Sequence, residues 1–303
     1  LGKKGKHLVS KELGALDPEM LYCYYMNSSE RNCLLQLPLN EVPFVLFDVE
    51  STGLEPQHGD RVCEIALMHW QGSVQRGTYQ TLINPGRPIS PEAFAVNKIM
   101  PDQLIKAPSF EAISARLLEH IDGKVLVAHN APFDFSFLNV ELLRLGKPPL
   151  NNPLVDTLQL ARTFLVHERY NLGALSRALG VQSPSHRAMS DVVALKALFV
   201  HLLERLRMLG VTTLDDLLRA QRGLLPGSPE PNAPAELLTA LREGRKLHIT
   251  YRTGGGDPVA RDILPIELQH TGGLQRLIAF CYLRNAQRTF YLDRIGDLAL
   301  VDE

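Results

Sequence analysis

The chain sets two carboxylates, Asp48 and Glu50, inside an apolar run that begins at Phe44 and ends at the turn-forming Ser51, Thr52 and Gly53. The length of that run and its aromatic and β-branched content predict a buried strand, in which side chains alternate faces with a period of two. Both acids therefore emerge on the same face. An ionised carboxylate in such a place loses roughly several kcal/mol of hydration unless something compensates it. A metal ion is the compensation these residue types suggest.

Two further acids sit near the starts of amphipathic segments. Asp134 shares a helical stripe with Leu138, Leu142 and Leu145, and Asp191 heads one continued by Leu195, Leu198 and Leu202. Taken singly, each reads equally well as an N-terminal helix acid stabilised by the macrodipole. Taken together, four acids on one strand and two helices are aimed at what can be one place. Carboxylates about 4 Å apart repel by about 4 kcal/mol per pair at an effective dielectric of 20, so four remain ionised only with cations between them. Two Mg2+ or Mn2+ ions balance four negative charges and suit hard oxygen donors. Such a pair can stabilise both oxygens of an in-line phosphoryl displacement.

His186 lies five residues before Asp191, after Ser183, Pro184 and Ser185. A loop histidine is commonly a surface residue; in a loop hanging over the acids, a neutral imidazole can take a proton from water. His129 and Asn130, which end a short apolar strand, suit backbone or phosphate binding, with a structural role at least as good a reading. Asp156 precedes a helical segment and reads as its cap.

These residues need elements to hold them. The Phe44 to Glu50 strand is followed by an apolar run, Val62 to Trp70, a turn at Gln71 and Gly72, and a partner strand, Val74 to Ile83, which together predict an antiparallel hairpin. Helical patterns at Ala93 to Met100 and Phe110 to Ile121 lead to a strand at Val125 to Ala128, a helix at Phe133 to Leu145 and a short strand at Leu154 and Val155. Helices follow at Leu158 to Phe164, Leu172 to Leu179 and Ala188 to Met208. Strands separated by helices imply an α/β fold with a mainly parallel sheet. The expected division is an N-terminal extension at 1–40, with basic Lys3, Lys4 and Lys6 and aromatic Tyr22, Tyr24 and Tyr25. A domain at 41–208, a helix and Pro-rich linker at 209–240, and a β-rich module at 241–303 complete it. In that module Leu247 to Arg252, Leu277 to Tyr282 and Thr289 to Ile295 read as strands, with glycine turns at Gly254 to Gly256 and Gly272 to Gly273.

Composition sets the outer bounds. With 45% hydrophobic and 21% charged residues the chain can bury a core. A formal net charge of −1 gives no general attraction to polyanions, so nucleic-acid binding has to rest on local patches. Cys23, Cys33, Cys63 and Cys281 lack zinc-ligand spacing and read as free thiols in a reducing, cytoplasmic setting. No apolar run approaches the roughly 20 residues of a membrane span.

The segments around the acids closely resemble, in order, the three exonuclease motifs of the DnaQ-like, or DEDDh, family, which includes the epsilon proofreading subunit. They are Phe47-Asp48-Val49-Glu50-Ser51-Thr52-Gly53-Leu54, His129-Asn130-Ala131-Pro132-Phe133-Asp134 and His186-Arg187-Ala188-Met189-Ser190-Asp191. The resemblance covers about residues 42 to 206. It implies a ribonuclease-H-like mixed five-stranded sheet flanked by helices and removal of mononucleotides from a 3′ end. It further implies Asp48, Glu50, Asp134 and Asp191 as ligands of two metals and His186 as the general base. A tyrosine-type relative would need Tyr where Arg187 stands. Ser51, Thr52, Gly53 and Leu54 match the turn that holds the terminal nucleotide, and Phe133 packs beneath the site. Single-stranded DNA is the expected substrate; an RNA 3′ exonuclease and a non-catalytic nucleic-acid-binding regulator are the alternatives.

Residues from about Leu241 to Asp302 are similar to a WYL domain, through Ile249-Thr250-Tyr251, Ile263-Leu264-Pro265-Ile266, Cys281, Arg284 and the run from Arg288 to Ile295. This implies a small Sm/SH3-like β-barrel that assists nucleic-acid binding or senses a ligand. Gln275-Arg276-Leu277 stands where the naming triplet would be. Residues 242–294 hold nine Arg or Lys against five acids. Arg252, Arg276, Arg284 and Arg288 are candidate phosphate contacts, and a solvated basic face is the competing reading.

Overall fold

The computed structural model describes residues 33–181, 184–228, 233–243, 245–253, 256–271, 274–284 and 286–301. The basic opening, the Tyr22 to Tyr25 cluster, Cys23, Ser183, Gly254, Gly255, Gly272 and Gly273 lie outside the described residues. The acid-bearing strand, β1 (Phe44–Ser51), lies at the centre of a five-stranded sheet with β2 (Val62–Gln71), β3 (Val74–Leu82), β4 (Val125–Ala128) and β5 (Leu154–Asp156) in the order β3-β2-β1-β4-β5. β1 pairs antiparallel with β2 and parallel with β4, so the sheet is mixed. Burial on both faces explains why β1 reads as a nearly continuous apolar run.

Helices cover both faces. On one, Val45, Phe47 and Val49 pack with Ile113 and Leu117 of α3 (Phe110–Ile121) and with Phe137, Leu138 and Leu142 of α4 (Ala131–Arg144). On the other, Phe44 and Trp70 meet Phe199 of α7 (Ala188–Met208), with ring centroids 5.1 Å and 5.8 Å from that phenyl ring. Each buried aromatic contributes about 1.5–3 kcal/mol, and edge-on pairing adds about 0.5–1.5 kcal/mol. α5 (Thr157–Phe164) and α6 (Leu172–Ala178) complete this part.

The helix expected over Ala93 to Met100 ends at Asn97 as α1 (Pro91–Asn97), and a further short helix, α2 (Pro101–Ile105), follows beyond the expected span. Lys98 turns into the left-handed region with φ 53°, and Pro101 keeps Met100 extended at ψ 135°. α4 starts two residues before its expected position, because Pro132 is accommodated in a first turn where its missing N–H costs nothing.

Leu1–Met208 with Thr212–Leu218 form one compact unit, and Leu209–Val211 with Arg219–Glu303 form a second. α8 (Leu214–Gln221) and α9 (Ala235–Glu243) fall largely in the stretch expected as helix and linker. Leu237 and Ala240 of α9 are buried with Leu247, Ile249, Ile263, Leu277 and Phe290, so α9 is part of the C-terminal core. That core lines a sheet of β6 (Leu247–Tyr251), β7 (Val259–Thr271), β8 (Leu274–Cys281), β9 (Ala286–Tyr291) and β10 (Ile295–Leu300), in the order β10-β6-β7-β8-β9. Among the described residues β10 and β9 do not pair, so the sheet is open where the resemblance implied a closed barrel. Among the described residues no helix is long and apolar enough to cross a membrane, and Cys33, Cys63 and Cys281 are free thiols.

Candidate active site

The alternation of β1 sets Asp48 and Glu50 on the face covered by α7, and Asp191 enters from the first turn of that helix. Ligand oxygens of Asp48, Glu50 and Asp191 all lie within 4.8 Å of one another. Asp134, in the first turn of α4, is 4% exposed and accepts the Val49 N–H at 3.1 Å. Its oxygens are outside the three-carboxylate group, yet its charge acts directly on Asp48.

Burial raises the pKa of every member, and repulsion between carboxylates adds to it at Asp48, Glu50 and Asp134. Asp48 is pushed well above the carboxylate range by burial, then by the charges of Asp134, Glu50 and Asp191. Glu50 is raised to about 8 by burial, then by Asp191, Glu64 and Asp134. Asp134 and Asp191 rise for the same first reason, tempered by backbone N–H bonds. A group of oxygens that resists ionising together is what a divalent cation relieves, and the all-carboxylate donor set fits Mg2+ or Mn2+.

His186 stands beside this group in the left-handed region, with φ 57°. Its N–H and that of Ser185 each donate to one oxygen of Asp191 at 3.1 Å, which ties the loop to the acid. The imidazole is exposed and has no hydrogen bond among the described residues.

The turn after β1 is built around Asp60, a residue that the sequence reading passed over. The Asp60 carboxylate accepts the Thr52 hydroxyl and the Glu55 N–H, each at 3.0 Å, and pairs with Arg87 at 3.1 Å. A Cβ on Gly53 would overlap that carboxylate, so glycine suits the turn as long as Asp60 holds its place there. The Thr52 side chain is wholly buried and also accepts the Arg61 N–H; the Ser51 hydroxyl donates to the Gly53 carbonyl at 2.6 Å. Leu54 is the exposed apolar residue of this turn, 77% exposed.

His129 is held by both ring nitrogens, Nδ1 to the Thr157 hydroxyl at 3.0 Å and Nε2 to the Tyr170 carbonyl at 2.8 Å, which leaves it a structural task. Asn130 adopts φ 69° ahead of α4 and donates its N–H to Asp156, whose carboxylate also caps α5 through the Leu158 N–H. Phe133 is half-buried and packs on Phe137 with centroids 5.1 Å apart.

A second residue missed in the sequence is Glu64. It is 1% exposed, directly opposite Glu50 in the β1–β2 register, and binds Arg187 through two hydrogen bonds of 2.9 and 2.8 Å. The available signal was a lone acid in the apolar strand Val62 to Trp70.

In the C-terminal sheet Arg276 lies over the Tyr291 ring at 5.6 Å with Arg294 at 4.9 Å, and Arg261 lies over Tyr251 at 5.9 Å. The Tyr291 N–H donates to the Tyr251 hydroxyl oxygen at 3.2 Å, which joins the two groups. Arg252, whose N–H donates to the Arg294 carbonyl, is exposed, as are Arg284 and Arg288. Arg261 and Arg294 were not singled out from the sequence.

The mixed sheet with helices on both faces and a carboxylate cluster at its centre is the architecture of a ribonuclease-H-like nuclease. The solved ExoI/SSB-Ct complex shares that fold, with a TM-score of 0.52 and 17% identity over 79% of this chain and 56% of that one. Residues 45–199 match the exonuclease family and residues 233–300 the WYL domain; the chain belongs to the exonuclease family. It is 38% identical over 197 residues to a DNA polymerase III subunit epsilon-like protein of Rhodobacter capsulatus, covering 63% of this chain and 28% of that protein. It is 31% identical over 188 residues to a PolC-type DNA polymerase III of Thermotoga maritima, covering 62% and 14%. The chain thus spans less than a third of either relative.

Proposed function

We propose that this protein is a divalent-metal-dependent 3′-to-5′ exonuclease that releases mononucleotides from single-stranded DNA. The observation that carries the reading is the convergence of Asp48, Glu50 and Asp191 within 4.8 Å, with Asp134 adding its charge. Asp48, Glu50 and Asp191, with Asp134 beside them, would hold two Mg2+ or Mn2+ ions, which would supply charge neutralisation and a more acidic water. His186, in an exposed loop tied to Asp191, takes the proton of the attacking water. The turn from Ser51 to Leu54, made rigid by Asp60, receives the terminal nucleotide, with Leu54 against its base. His129, Asn130 and Phe133 support the α4 start that carries Asp134.

The C-terminal sheet binds nucleic acid through its own basic side chains. Its support is the grouping of Arg261, Arg276 and Arg294 around Tyr251 and Tyr291, which gathers guanidiniums suited to phosphates. Among the described residues none of these three guanidiniums pairs with a carboxylate, and the Nε atoms of Arg261 and Arg276 are shielded from solvent without a partner. Arg252, Arg284 and Arg288 add positive charge nearby in sequence.

The test is incubation of the protein with a 5′-labelled single strand and Mg2+ or Mn2+. We expect shortening from the 3′ end, faster on DNA than on RNA of equal length, and loss of about 10³-fold in rate for Asp48→Asn. An intact strand, or an unaltered rate in the variant, rejects the reading. RNA degraded faster reassigns the substrate.

A further inference from the structure

One fully satisfied acid of the exonuclease unit lies outside the carboxylate trio but next to it. Glu64 receives four hydrogen bonds: Nε and Nη2 of Arg187 at 2.9 and 2.8 Å, the Ala188 N–H at 3.2 Å and Gln80 Nε2 at 2.8 Å. A carboxylate has about four acceptor sites, so Glu64 keeps none for a metal ion. Two of its donor residues, Arg187 and Ala188, directly follow His186 in the chain. Because His186 is not glycine, its left-handed backbone carries strain that the surroundings have to hold in place.

That holding comes from two sides. Ahead of the turn, the Ser185 and His186 N–H groups are fixed by Asp191. Behind it, the Arg187 side chain and the Ala188 N–H are fixed by Glu64, on a central strand and 1% exposed. We propose that Glu64 and Arg187 are positioning residues for His186: their forked ion pair pins the far side of the turn to β2 and so aims the imidazole at the carboxylate group. The inference rests on the nuclease reading above, in which His186 handles the proton.

An isosteric change, Glu64→Gln, keeps the shape and removes the charge that holds the fork. It should lower kcat by about 10- to 100-fold with KM within about twofold of the parent, while Mn2+ binding, followed by titration calorimetry, changes far less than kcat. Arg187→Lys, which keeps the charge but loses the fork, should do the same to a lesser degree. In a His186→Ala background Glu64→Gln should change kcat by less than about twofold, because residues acting through one group are not additive. Independent, multiplying losses overturn the proposal. So does a parallel fall in Mn2+ affinity, which would place the effect on the acids, or an unchanged kcat. Retained Mn2+ binding doubles as the control that each variant is folded. A parent protein that neither binds Mn2+ nor shortens strands sinks the nuclease reading itself, a result distinct from any of these.

Discussion

At the scale of single residues, Glu50 concentrates the conflict on which the site is built. Its pKa of about 8 compares with 4.5 for an ordinary glutamate, raised by burial and by Asp191, Glu64 and Asp134. A carboxylate with a higher pKa in the folded state takes up a proton on folding between those two values. Its stabilising contribution is therefore complete below about pH 4.5 and lost as pH rises through about 8. Metal-free protein should melt at lower temperature at pH 8 than at pH 5.5. Glu50→Gln should flatten that slope and raise the pH 8 melting temperature by about 2–5 °C in EDTA, followed by circular dichroism. A slope that is unchanged in the variant contradicts the charge conflict. The acids were legible in the sequence because inward-facing charge on an apolar element is costly and so stands out, whereas His186, on an exposed loop, drew notice only through its spacing from Asp191 and the motif resemblance. Asp60 and Glu64 were less so, since their partners Thr52, Arg87 and Arg187 come together only through the fold.

At the scale of elements, the site depends on where helices begin. Asp156 ends β5, caps α5 through the Leu158 N–H at 2.9 Å and holds the Asn130 N–H at 2.9 Å, just ahead of the turn carrying Asp134. Asp156→Ala should cost about 1–2 kcal/mol, which for a unit of this size is about 2–4 °C of melting temperature per kcal/mol by calorimetry. Asp156→Asn keeps an acceptor oxygen and should recover most of the loss; equal losses in both would show that the cap is not the cause. The helix bounds at Ala188 and Met208 were readable because apolar periodicity and length agree there. Lys98 hid the break between α1 and α2, since a non-glycine left-handed residue leaves no compositional mark. β7 was not read as a strand, because Pro265 interrupts its pattern at a register shift.

At the scale of the whole molecule, a chain with net charge −1 must bind a polyanion by local arrangement. The C-terminal sheet provides one, with Arg261 on Tyr251 and both Arg276 and Arg294 on Tyr291. Sequence alone indicated a basic module and included Arg276, but pairings between strands decide which guanidiniums meet aromatic rings. For single strands, each phosphate neutralised contributes about 0.7 to the slope of log affinity against log salt. If each of the three arginines holds one phosphate, Arg261→Gln, Arg276→Gln and Arg294→Gln together should lower that slope by about 2. Binding should weaken by a similar factor on strands of any sequence, because phosphate contacts carry no base information. The measurement is fluorescence anisotropy with labelled oligonucleotides from low to moderate salt, in EDTA so that no strand is degraded. A slope identical to the parent's would remove these residues from the strand path, and a loss confined to particular sequences would assign them to base recognition through the tyrosines instead.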